Sequence, residues 1–87
     1  MKPSPFRLRV WAEVKKIPKG QTATYSQIAQ RIGKPKAVRA VASAVAANTD
    51  KIIIPCHRVI LSSGKPGKYR WGTREKIRLL RNEGVNI

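Results

Sequence analysis

At 87 residues the chain has room for one small domain, residues 1–87, and little more. Its single cysteine excludes an internal disulfide, and one cysteine plus one histidine supply half of what a structural zinc site needs, so no metal is expected. Nineteen Lys and Arg stand against four acids (Glu13, Asp50, Glu75 and Glu83), a net charge of +15 that favours an anionic partner. Nucleic acid leads. A membrane surface would suit the charge, but no dominant amphipathic cationic helix is present to dock on one. A highly charged soluble or ribosome-associated protein is the plainer alternative. Without a secretory segment or a long apolar run, the chain reads as soluble and cytoplasmic.

In chain order, Phe6, Val10, Val14 and Ile17 recur at helical spacing, with Trp11 beside them, and Pro18 and Gly20 end the run. This predicts a helix over Phe6 to Ile17. Thr24 and Gln27 form a capping box that opens a second helix, about Tyr25 to Ile32, with Ile28, Ala29 and Ile32 inward. Gly33, Lys34 and Pro35 make a tight turn, and a third helix is expected over Lys36 to Ala47. Helix, glycine-containing turn, helix is the helix-turn-helix pattern. Val38, Val41 and Val45 would pack inward, leaving a slim outer face of Ala42, Ser43 and Ala46 with one long cation, Arg39. Ile52, Ile53 and Ile54 read as a buried extended segment ended by Pro55, and the apolar run resumes at Val59 to Leu61. Ser62 to Lys68 is a turn or wing, and Thr73 is expected to cap a last helix from about Arg74 to Glu83, with Ile77 and Leu80 inward.

Pro55-Cys56-His57-Arg58 concentrates the chemistry. A thiol becomes a strong nucleophile only when deprotonated, which nearby cations and a histidine base promote. Taken singly, a lone cysteine is usually a small buried hydrophobe, and a lone histidine a surface or satisfied core residue. Side by side between two apolar runs, they are candidates for function. In an extended segment adjacent side chains point to opposite faces, so a bridging water would have to link them. A carboxylate should orient His57; Glu83 and Glu13 both qualify by spacing. A cysteine protease has the right residue types but needs a two-lobed cleft that this length does not provide.

Ile54-Pro55-Cys56-His57-Arg58-Val59 resembles the active-site signature of the O6-alkylguanine-DNA alkyltransferases, and Phe6 to Gly84 resembles their C-terminal domain. Ala40 to Ala44, Ala46 to Asn48 and Tyr69-Arg70-Trp71-Gly72 follow the same pattern. The resemblance implies that Cys56 accepts the alkyl group, that His57 draws off the thiol proton through a water, and that Glu83 orients His57. Asn48 would brace the turn before the active-site segment. Tyr25 would crowd a DNA phosphate so that the nucleotide rotates out, and would protonate the leaving base. Arg39 would fill the gap in the stack from a helix lying in the minor groove, with Lys36, Ser26, Gln27, Ser43 and Ser62 on the DNA-contacting surface. Tyr69, Arg70, Trp71 and Val59 would line the substrate pocket, and the bulk of Trp71 would favour methyl over benzyl adducts. A base stacked in a duplex must be flipped out before its O6 substituent can be attacked. The resemblance implies no cofactor, one turnover, and double-stranded DNA containing O6-alkylguanine as partner. The family usually has a domain ahead of this one. None is expected within these residues, so the chain would act as a monomer or with a separate partner in that domain's place. A non-catalytic branch carries tryptophan or alanine at the acceptor position, where this chain has Cys56.

The fold expected is therefore mainly α, a small winged helix-turn-helix-like domain with a short extended active-site segment. Two alternatives stand beside alkyl transfer. One is recognition of alkylated DNA without transfer. The other is a plain helix-turn-helix DNA-binding regulator.

Overall fold

Ser4 starts the first helix by accepting a hydrogen bond from the Arg7 amide at 3.2 Å, and Pro5 takes the first helical position, where its missing N–H costs nothing. In this computed structural model residues 4–50, 53–67 and 69–87 are described. The expected segments around Ile52 and Lys68 lie partly outside them. Among the described residues the chain is mainly α: α1 (Pro5–Lys15), α2 (Tyr25–Arg31), α3 (Val38–Ala46) and α4 (Thr73–Asn82). β1 (Ala23–Thr24) and β2 (Val59–Ile60) pair in parallel, Ala23 with Val59 and Thr24 with Ile60.

The core lies where α1, α2 and α3 meet. Val10 and Val14 of α1, Ile28 and Ala29 of α2, and Val41, Ala44 and Val45 of α3 are all buried. Trp11 locks α1 to α3 by donating its indole N–H to the Ala44 carbonyl at 2.8 Å. Arg9 closes the end of α2 by donating to the Ile32 carbonyl at 2.7 Å. The predicted capping box is present: the Gln27 amide donates to Thr24 Oγ1 at 3.0 Å, and the Thr24 amide to Gln27 Oε1 at 2.9 Å. It fixes where α2 begins, and so where Tyr25 points.

Several expectations are corrected. Ile17 is buried but lies past the end of α1. Lys36 belongs to the turn before α3, because the Ala37 amide bonds back to the Lys34 carbonyl and the helix starts at Val38. Ile53 is 63% exposed and Ile54 half-buried, so these two do not form a buried strand, and Ile52 lies outside the described residues. Side chains compete with a ladder there: Asn48 and Asp50 bond to nearby backbone and curl the chain. Cys56–Arg58 is a 3₁₀ turn rather than an extended segment, closed by the Arg58 amide on the Pro55 carbonyl at 3.0 Å. Thr73 opens α4 as its first helical residue and caps nothing; Gly72, at φ +99°, precedes it. After β2, Ser62–Gly67 forms a tight turn with no wing strands among the described residues.

Gly20 holds the α1–β1 connection against the end of α4. Its φ is +87°, and a Cβ there would lie 3.0 Å from the Glu83 carbonyl oxygen. Gly20→Ala is expected to cost about 2 kcal/mol, read as a lowered urea midpoint with unchanged slope, because strain and a backbone clash coincide. An unchanged midpoint would show that this approach is not tight in solution.

Candidate functional site

Asn48 prepares the ground for the thiol. It is 2% exposed, and its amide donates to the carbonyls of Asp50 at 3.1 Å and Ile54 at 3.0 Å. This braces the bend that delivers Pro55, and Pro55 restricts φ at the entry to the 3₁₀ turn. Cys56 and His57 are both buried in that turn. Val59, fully buried, anchors the far side through its pairing with Ala23.

Cys56 contributes to a cavity of about 290 Å³ lined by Tyr25, Ala42, Val45, Ala46, Cys56, Tyr69 and Arg70. That size is at the low end for a ligand pocket. Tyr25 projects from the capped start of α2, and Ala42, Val45 and Ala46 come from α3. Burial, followed by the charge Cys56 carries when ionised, pushes the Tyr25 and Tyr69 hydroxyls above the usual tyrosine range. Both therefore stay protonated at neutral pH. Trp71 does not line the cavity; it packs against Tyr69 with ring centroids 5.1 Å apart, and so braces the wall from behind. Val59 likewise supports the site from the core rather than the cavity.

Of the two carboxylates open by spacing, the structure selects Glu83. Glu13 pairs with Lys16 on the surface of α1. Glu83 Oε2 lies 3.1 Å from His57 Nε2, a contact that favours the protonated ring. Burial lowers the His57 pKa and Glu83 partly restores it, so the ring is neutral near pH 7 and its Nδ1 or Nε2 can take a proton. Arg58 grips the same carboxylate with two bonds, Nε to Oε1 at 2.9 Å and Nη2 to Oε2 at 2.7 Å, and gives a third to the Ile17 carbonyl at 2.8 Å. Those bonds from Arg58 hold the Glu83 carboxyl down at about 2.

Among the residues expected at a DNA surface, Arg39 and Ser43 are exposed on α3, and Lys36 is exposed just before it. Ser26 and Ser62 approach to 3.3 Å between hydroxyls, so the start of α2 and the turn after β2 form one edge. Gln27 spends its side-chain carbonyl on the cap. Arg39, Ala42, Ser43 and Ala46 recur at helical spacing, so the slim outer face of α3 runs into the cavity wall.

Sequence reasoning missed two parts of the site. Arg58 was read as a nearby cation rather than as a clamp on Glu83. Lys76 was not singled out, yet it has no solvent exposure. The signal for Lys76 was available: it sits four residues before the inward Leu80, whereas the expected Ile77 is only half-buried.

Residues 5–85 match the family model described as the 6-O-methylguanine DNA methyltransferase, DNA binding domain. The chain belongs to the 6-O-methylguanine DNA methyltransferase family. It is 56% identical over 81 residues to the bifunctional transcriptional activator/DNA repair enzyme Ada of Escherichia coli, covering 93% of this chain and 23% of that protein. Among solved methyltransferase-family structures, it superposes on OGT of Mycobacterium tuberculosis in complex with DNA with a TM-score of 0.91 and 45% identity, covering 94% of this chain and 51% of that one. It is also similar to S. pombe Atl1 in complex with damaged DNA containing O6-carboxymethylguanine, at a TM-score of 0.87 and 32% identity, covering 100% of this chain and 82% of that one. The chain thus spans about a quarter of Ada and half of the mycobacterial protein. No helix among the described residues is long and apolar enough to cross a membrane.

Proposed function

We propose that this chain repairs DNA by transferring an alkyl group, methyl foremost, from O6 of guanine in a duplex to Cys56, once per molecule. The observation that carries the reading is the placement of the only cysteine at a small cavity whose wall continues into the outer face of α3. A stacked base would have to rotate out to reach it, and α3 in the minor groove would bring the cavity mouth alongside. Arg39 would then occupy the vacated stack, Tyr25 would crowd the phosphate, and Ser26, Lys36, Ser43 and Ser62 would hold the flanking backbone.

In the chemical step the Cys56 proton passes to neutral His57 through a water. The thiolate forms an S–C bond as the C–O6 bond breaks, and the electron pair leaves on guanine, which takes a proton from Tyr25 toward N3. The elevated Tyr25 pKa keeps that proton in place until it is needed. The Arg70 backbone and Tyr69 close over O6. The product is a thioether and free guanine O6, and no cofactor enters the balance. Residues 1–87 make up one catalytic and DNA-binding domain that acts as a monomer or with a separate partner.

A duplex bearing O6-methylguanine tests this. The peptide containing Cys56 should gain one CH₂ by mass, and Cys56→Ser should gain nothing while still binding the duplex. Tight binding with no gain in mass would favour the second reading, lesion recognition without transfer.

A further inference from the structure

Lys76 is carried inward on α4 with no solvent exposure. A fully buried lysine is rare unless its charge is paired or used. Its ammonium lies 5.7 Å from the centroid of the Tyr25 ring and 6.0 Å from that of Tyr69. The same two rings wall the cavity to which Cys56 contributes. Burial lowers the Lys76 pKa to about 8, and the charge on Cys56 acts against that fall, so the two groups lie within electrostatic reach.

The charges around Cys56 come from every element packed there. Its own turn holds His57 and Arg58, α2 brings Tyr25, the segment before α4 brings Tyr69 and Arg70, and α4 brings Glu75, Lys76 and, at its end, Glu83. Arg58 donates to both carboxylate oxygens of Glu83, so those charges largely cancel. Arg70 is exposed and screened by water. Burial, then Arg58 and Lys76, oppose lasting protonation of His57, and Glu83 offsets them only in part. Once the thiol proton has passed through His57 and left to solvent, the thiolate needs a standing positive charge that the neutral ring does not supply.

We propose that Lys76 is the counter-charge of the Cys56 thiolate: a positioning residue, held by the faces of Tyr25 and Tyr69, that raises the thiolate fraction before any lesion arrives. Its importance for repair rests on Cys56 being the acceptor. The pairing itself is a property of the free protein and is measured without DNA.

The test uses iodoacetamide on the full chain, following modification of Cys56 against pH for wild type, Lys76→Met and Lys76→Arg, each checked for folding by circular dichroism. Lys76→Met should move the midpoint of the profile up by about one pH unit, an approximately tenfold slower reaction below it, and Lys76→Arg should largely restore it. A Lys76→Met midpoint at the wild-type value overturns the proposal, as does an arginine variant displaced as far as the methionine one. A second arm needs no substitution. Lysine side-chain NMR of the wild type should show the Lys76 titration moving down once Cys56 carries the neutral carbamidomethyl group, because coupling is reciprocal. An unmoved Lys76 titration overturns the pairing even if Lys76→Met fails to fold. Shifts in both arms with no methyl gained from an O6-methylguanine duplex would sink the repair reading and leave the pairing standing.

Discussion

Glu83→Gln should slow alkyl transfer about a hundredfold and cost about 3 kcal/mol of stability. The two effects share a cause. Glu83 is 12% exposed and answers two groups at once, His57 and the guanidinium of Arg58. Glutamine keeps the size but removes the charge. Arg58 is then left partly buried without its anion, which is the costly way to break a buried pair. His57 loses the charge that had offset its desolvation, so its pKa falls further and it becomes a weaker base. Single-turnover rates and urea unfolding at pH 7 read both effects.

The pH dependence of stability gives an independent check. The folded Glu83 pKa, about 2, is below its ordinary value of 4.5. The unfolded state therefore binds more protons between those values. The stabilisation is complete above pH 4.5 and is lost as pH falls through about 2. His57 is depressed as well, so it weakens the fold in the same direction as pH drops below 6.5. Glu83→Gln should lack the part of that loss between pH 4.5 and about 2. A variant with wild-type rate and the same acid profile would mean that the carboxylate neither orients His57 nor holds Arg58.

Ala46→Leu should abolish repair in duplex DNA, by about a hundredfold or more, while leaving the melting temperature nearly unchanged. Ala46 is exposed and leucine is almost as good a helix former, so the folded state has little reason to weaken. The site does. Ala46 lines the cavity and lies on the face of α3 shared by Arg39 and Ser43, so an added isobutyl group would fill the mouth and hold the helix off the groove floor. Binding to undamaged duplex should weaken in parallel. Wild-type repair by this variant would show that the base enters elsewhere.

Much of the fold was legible because its signals are local. The valines of α1 and α3 recur at helical spacing, and the Thr24–Gln27 box spans one turn, so neither needs distant partners to be recognised. The errors fell where local patterns compete with side-chain bonding. Three consecutive isoleucines suggest a strand, but Asn48 and Asp50 bond to the backbone beside them and curl it. The extended reading of Cys56–Arg58 failed for a related reason, since the Pro55 carbonyl accepts from the Arg58 amide and closes a 3₁₀ turn.

The sequence by itself determined that this small basic chain carries a helix-turn-helix, one thiol beside one histidine, and the signature of its family. Only the tertiary structure decided which carboxylate lies against His57, what Arg58 binds, and that a lysine is buried against the rings of Tyr25 and Tyr69. Arg58 and Glu83 are 25 residues apart, and Lys76 meets Tyr25 across the molecule from another helix. The fate of a charge depends on which elements pack around it. Periodicity can say that a position faces inward, but not what waits there to meet it.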